Sequence, residues 1–158
     1  MFATRNLLNG KPIFFKGAIV NPNADNGPFF ELQLMKMVKK IEQGAQFFQT
    51  QPVFNINLFE RFIERVSKLN IKIPIIAGIM LIKSEKMAVY VNKSLPGIKV
   101  PETMIEKISK SKDKISTSIE IATGIVEKIK PLCSGIHIGA QGWENHMEKF
   151  INNLKESI

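Results

Sequence analysis

The chain has 158 residues, 44% hydrophobic and 23% charged, with a net charge of +8. That length allows one domain with a real core, and that composition excludes wholesale disorder. No apolar run reaches the roughly 18–20 residues that cross a bilayer, and the opening MFATRNLLNGKP lacks a secretory apolar stretch, so the expected location is cytoplasmic, with no membrane partner.

The first predicted element is a strand at 13–20, IFFKGAIV, bounded by Pro12 and the turn-rich NPNADNGP. A helix over 29–43 follows, with Leu34, Met37, Val38 and Ile41 at helical spacing and Gly44 as its stop. The second strand covers 45–51. Asn57 is the expected cap of the next helix, whose stripe is Leu58, Phe62, Val66 and Leu69.

The run IPIIAGIML at 73–81 is apolar at every position, as expected of a parallel strand buried on both faces. A helix at 84–92, a loop, and a short helix after Pro101 come next. A longer helix at 113–130 ends at Pro131, the fourth strand covers 134–140, and a terminal helix begins near Trp143. The order is βα repeated four times, with one added helix. It predicts an α/β chain with parallel strands, either a small open sheet or half of an eight-unit barrel. No linker divides it, so residues 1–158 form one domain.

In either architecture chemistry belongs at the C-terminal ends of the strands. Those ends carry Asn21 and Asn23, then Thr50, Gln51 and Pro52, then Met80 and Leu81, then Gln141 and Trp143. They hold no paired carboxylates, no Ser-His-Asp set and no Cys/His cluster, and the lone Cys133 suggests no metal. An amide-rich, aromatic rim suits a flat heteroaromatic ligand, with Trp143, Tyr90 or Phe54 as candidate ring covers. The same Gln51 and Trp143 also have a structural reading, as a loop-satisfying amide and a core cap. His137, inside a strand run, reads as a hydrogen-bonded sheet residue, and His146 as exposed. Met35, Met37, Met80 and Met87 read as core filling.

Lys36, Lys39 and Lys40 cluster at the end of the first helix, where they favour its dipole and are placed to meet a phosphate. Only three of the 22 basic residues are arginine, and the basic residues alternate with acids along helices. A solvated surface is therefore expected rather than a nucleic-acid footprint.

The string GAQFFQTQPVFN (44–55), followed by PIIAGIML (74–81), resembles the methylenetetrahydrofolate reductase family. AIVNP (18–22), KSEKMAVYVNKSLPGIKVPE (83–102) and SGIHIGAQGWE (134–144) extend the likeness in order along nearly the whole chain. The last two are similar to the branch found with corrinoid-linked and fused methyltransferase relatives.

The resemblance implies the C-terminal half, (β/α)4, of a TIM (β/α)8 barrel. It implies a flavin, FAD rather than FMN, and reduction of 5,10-methylenetetrahydrofolate to 5-methyltetrahydrofolate with NAD(P)H or another electron donor. It places Gln51, Met87 and Trp143 at the folate, and Asn21, Lys36, Lys39 and Lys40 at the flavin. The family's proton-donating glutamate and its aspartate match no position here, so no catalytic acid is assigned. The usual aspartate is Asn55 in this chain and the usual proline is Leu81. The expected partner is a complementary N-terminal half or a second copy. The alternative is a non-catalytic half-barrel module that holds folate or flavin.

Overall fold

The computed structural model describes residues 14–24 and 27–156. Four strands, β1 (Gly17–Val20), β2 (Phe47–Pro52), β3 (Ile75–Met80) and β4 (Gly135–Gly139), form one parallel sheet in sequence order. Helices α1 (Pro28–Glu42), α2 (Ile56–Lys68), α3 (Glu85–Ser94), α4 (Glu102–Lys110), α5 (Lys114–Ile129) and α6 (Met147–Glu156) fill the connections and the C-terminus. The α/β class and the parallel sheet alternating with helices are as expected, and the arrangement matches part of a (β/α)8 barrel. No described helix is long and apolar enough to cross a membrane.

Element boundaries show local chemistry that spacing missed. The ladder of β1 starts at Gly17, not in the apolar residues before it; Ile13 lies outside the described residues. Asn55, not Asn57, caps α2: its backbone is extended and its Oδ1 accepts the Leu58 N–H at 3.1 Å. A cap has non-helical backbone and accepts an N–H two or three residues on, and Asn57 is already helical. Ser84 caps α3 through the Met87 N–H, and Asp113 caps α5 through the Ser116 N–H. In α1 the buried stripe is Phe30, Leu34 and Met37, with Val38 on the exposed side; Leu69, just past the end of α2, is exposed.

All six helices pack against one side of the sheet or one another, which leaves the two sheet faces unlike. Val20, Phe48, Ile75, Ala77 and Ile79 are buried toward the helices. Their neighbours on the other face are open: Ile19 is 57% exposed, and Ile76, Met80, Phe47 and Gln49 are half-buried. The apolar run of β3 is therefore buried on one face and half-covered on the other, against the expectation for a strand enclosed on both. At the lower end of the open face the Phe47 ring lies over Gly17 and stacks on Phe15, with centroids 5.4 Å apart. Among the described residues β1 and β4 are the edge strands of this sheet, so no described strand pairs with their outer backbone groups.

Candidate functional site

A bulge in β2 builds the upper end of the open face. Thr50 is buried; its Oγ1 accepts the Gly78 N–H at 2.9 Å and donates to the Gln51 carbonyl at 2.8 Å. The hydroxyl stands in for ladder bonds where the register shifts between Gln49 and Pro52. Gly78 has no alternative here, because a Cβ would lie 2.6 Å from the Thr50 carbonyl oxygen. Leu81 extends the sheet by donating its N–H to the Gly139 carbonyl at 3.1 Å, a bond that proline cannot make.

Above this bulge lies a groove of about 200 Å³, lined by Ile19, Gln49, Thr50, Gln51, Pro52, Gly78, Ile79, Met80, His137, Gly139 and Gln141. Two glycines leave its floor low, and three glutamines and one histidine supply its polar groups. Gln49 Nε2 meets His137 Nδ1 at 3.0 Å across β3. Gln141, at φ +55°, brings its amide beside Gly139. Among the described residues no Asp or Glu lines the groove, and no cluster of His, Cys, Asp and Glu is suited to a metal. A larger cleft beside α2, about 720 Å³, lies away from the strand ends and is lined mainly by the exposed helix residues Glu60, Arg61, Glu64 and Lys68.

The other predicted residues fall around this groove rather than in it. Trp143 is half-buried against the core, with His146 edge-on to its ring and Lys83 Nζ 5.6 Å from its centroid. His146 is thus half-buried, not exposed. Glu144 accepts the Gly142 N–H at 3.0 Å; its own backbone N–H first, then that bond and the charge of Lys83, hold its carboxyl below the usual carboxylate range. Met87 Sδ takes the Lys83 N–H at 3.4 Å. Phe54 is buried among α3 and α4 residues and Tyr90 is exposed on α3, so neither covers the groove. Of the four methionines read as core filling, Met37 is buried and Met35 is 59% exposed.

On the β1 side, Lys40 Nζ donates to the Ile19 carbonyl and caps an edge group of the sheet. Lys36 and Lys39 are exposed on α1. Asn21 uses both ends of its amide: Nδ2 donates to the Gly97 carbonyl at 3.1 Å, and Oδ1 accepts the Asn23 N–H at 2.9 Å.

A family model described as methylenetetrahydrofolate reductase matches residues 19–155. The chain belongs to the methylenetetrahydrofolate reductase family. The chain is 30% identical over 106 residues to the 5,10-methylenetetrahydrofolate reductase of Buchnera aphidicola subsp. Acyrthosiphon pisum (strain APS). That match covers 65% of this chain and 36% of the Buchnera protein, so the chain spans well under two thirds of its relative.

Within the family sheet, Gln51 stands at the groove, while Met87, Trp143 and Asn21 are bonded into the surrounding loops. In the sequence Gln49 carries no type or spacing that marks it, and His137 reads as a sheet residue. The strict alternation of exposed His137 between half-buried Ile136 and Ile138 is the signal that puts it on the open face.

Proposed function

We propose that this chain forms one wall of a flavin-dependent reductase that converts 5,10-methylenetetrahydrofolate to 5-methyltetrahydrofolate, as the C-terminal half of a (β/α)8 barrel completed by a complementary half. The observation that carries this reading is Gln51 at the end of β2, beside an amide-rich groove floored by Gly78 and Gly139, in a chain of this family. Gln51 has both a donor and an acceptor for the edge of a pterin ring.

The flavin, FAD in this family, supplies the hydride transfer when bound. Lys40 fits such a group: its ammonium keeps two donors beyond the one given to Ile19, at the edge of a strand end, where a phosphate would be met. Lys36 and Lys39 add positive charge on the same helix. The Asn21 amide is already spent on Gly97 and Asn23, so its part is to hold the loop after β1. Gln51, with Met87 and Trp143 shaping the neighbouring loops, orients the folate. NAD(P)H or another donor returns the electrons. The strings at 83–102 and 134–144 support placement in the corrinoid-linked branch.

The test is reconstitution with the N-terminal half of a family barrel. Flavin absorbance and NAD(P)H-dependent reduction are expected, and Gln51→Glu should weaken folate binding. A stable complex without flavin absorbance refutes the reading. Among the described residues the polar side chains of the groove are amides, one hydroxyl and one imidazole, a lining suited to binding, which favours a second reading, a binding module without chemistry of its own. Binding of 5-methyltetrahydrofolate with no NAD(P)H oxidation in the reconstituted barrel selects it.

A further inference from the structure

The open face carries one polar contact that folding of this sheet does not require. Gln49 and His137 lie 88 residues apart on β2 and β4, with β3 between them. They meet because Gly78, level with His137 in the β3–β4 register, puts no side chain between them. Ile76 and Met80 flank the crossing on the same strand face. A leucine at either position would pack on those neighbours, so a paired amide and imidazole here needs a reason beyond cohesion.

The direction of the contact matters. An amide nitrogen donates and never accepts, so Gln49 Nε2 at 3.0 Å makes His137 Nδ1 the acceptor. The neutral ring then carries its proton on Nε2, the atom for which no described residue supplies a partner. The second-position hydrogen bond of an imidazole sets what its other nitrogen can do. Here it converts His137 into a fixed N–H donor on the wall of the groove. At about 200 Å³ the groove is smaller than the ~300–1,000 Å³ pockets that enclose whole ligands, so it holds one end of a ligand.

We infer that His137, held by Gln49 in the Nε2–H form, is a positioning donor to a carbonyl or ring-nitrogen acceptor on a planar ring whose edge enters the groove that Gln51 and His137 both line. This rests on the proposed function for the identity of the ring as a pterin. It adds a pair, one residue to bind and one to orient it, to the single contact at Gln51. Gln49 touches no ligand and acts through the imidazole.

The experiment is nitrogen-15 NMR of the imidazole and glutamine side chains in the full chain bound to its complementary half, titrated with 5-methyltetrahydrofolate. The expected result is a protonated Nε2 and bare Nδ1 before ligand, and movement of both the His137 Nε2 and Gln51 amide signals on binding. Gln49→Leu should leave a mixture of tautomers and weaken binding several-fold. His137→Phe, which keeps the ring volume, should weaken it about tenfold. His137→Gln, which restores an N–H donor, should recover part of that loss, which a packing role would not predict. A proton on Nδ1, or a Gln51 signal that moves while His137 Nε2 does not, overturns the inference and leaves the functional reading standing. No perturbation by 5-methyltetrahydrofolate at all overturns the functional reading and the inference with it.

Discussion

Thr50→Val isolates what holds the groove together. Valine keeps the shape of threonine, so no cavity opens, and only the hydroxyl is lost. That hydroxyl makes two bonds in the buried bulge, accepting from Gly78 N–H at 2.9 Å and donating to the Gln51 carbonyl at 2.8 Å. Each such bond contributes about 0.5–1.5 kcal/mol net, and a buried N–H left without an acceptor costs about 1–3 kcal/mol. Gly78 is buried and Gln51 is half-buried, so the N–H is the costlier group to leave without its partner, and the expected loss is about 2–3 kcal/mol. With a urea slope of about 2 kcal/mol/M, the unfolding midpoint drops by about 1–1.5 M at unchanged slope. Thr50→Ser removes a methyl but keeps both bonds, and should fall by about half as much. A Thr50→Val protein within about 0.5 kcal/mol of wild type, or more stable than Thr50→Ser, refutes the account of the bulge.

Four other outcomes follow from the same geometry. Gly78→Ala places a Cβ 2.6 Å from the Thr50 carbonyl oxygen and should lower stability by about 1–3 kcal/mol in thermal melts, because backbone must shift to admit it. Asn55→Ala removes the α2 cap at a cost of about 1 kcal/mol, and Asn55→Asp retains it, as read by urea titration. The Ser116 hydroxyl and N–H, with Lys149, hold the Asp113 carboxyl below its ordinary value. The folded group therefore releases its proton more readily than the unfolded one. Its contribution is complete above the unfolded pKa and is lost as pH falls through the folded value, so Asp113→Asn should flatten the acid limb of the stability curve. The chain alone should self-associate through the face bearing Phe15, Ile19 and Phe47, and Ile19→Lys should reduce it; sedimentation velocity showing a wild-type monomer at all concentrations refutes this.

Four strands, their parallel direction and the helices between them were legible because each is a local pattern: a short apolar run, a crossover long enough for a helix, a glycine or proline stop. The position of Gln51 at the rim was legible for a related reason, since residues at the end of a parallel strand have a defined place there. The α2 cap was not, because Asn55 and Asn57 are equally good caps by type and only the backbone at Asn55 is extended.

The sidedness of β3 lay further out of reach. IPIIAGIML is apolar throughout and carries no mark of which face meets the helices. Packing chose it, burying Ile75, Ala77 and Ile79 and leaving Ile76, Gly78 and Met80 on the face of the groove. The pairing of Gln49 with His137 depends on that choice. Residue types and local periods are properties of short stretches, and a hydrogen bond over a glycine of an intervening strand exists only when three distant segments share one face. Family, strands and helices were thus written in the chain, whereas the order of the strands and the polar lining of the groove arose from the assembled sheet.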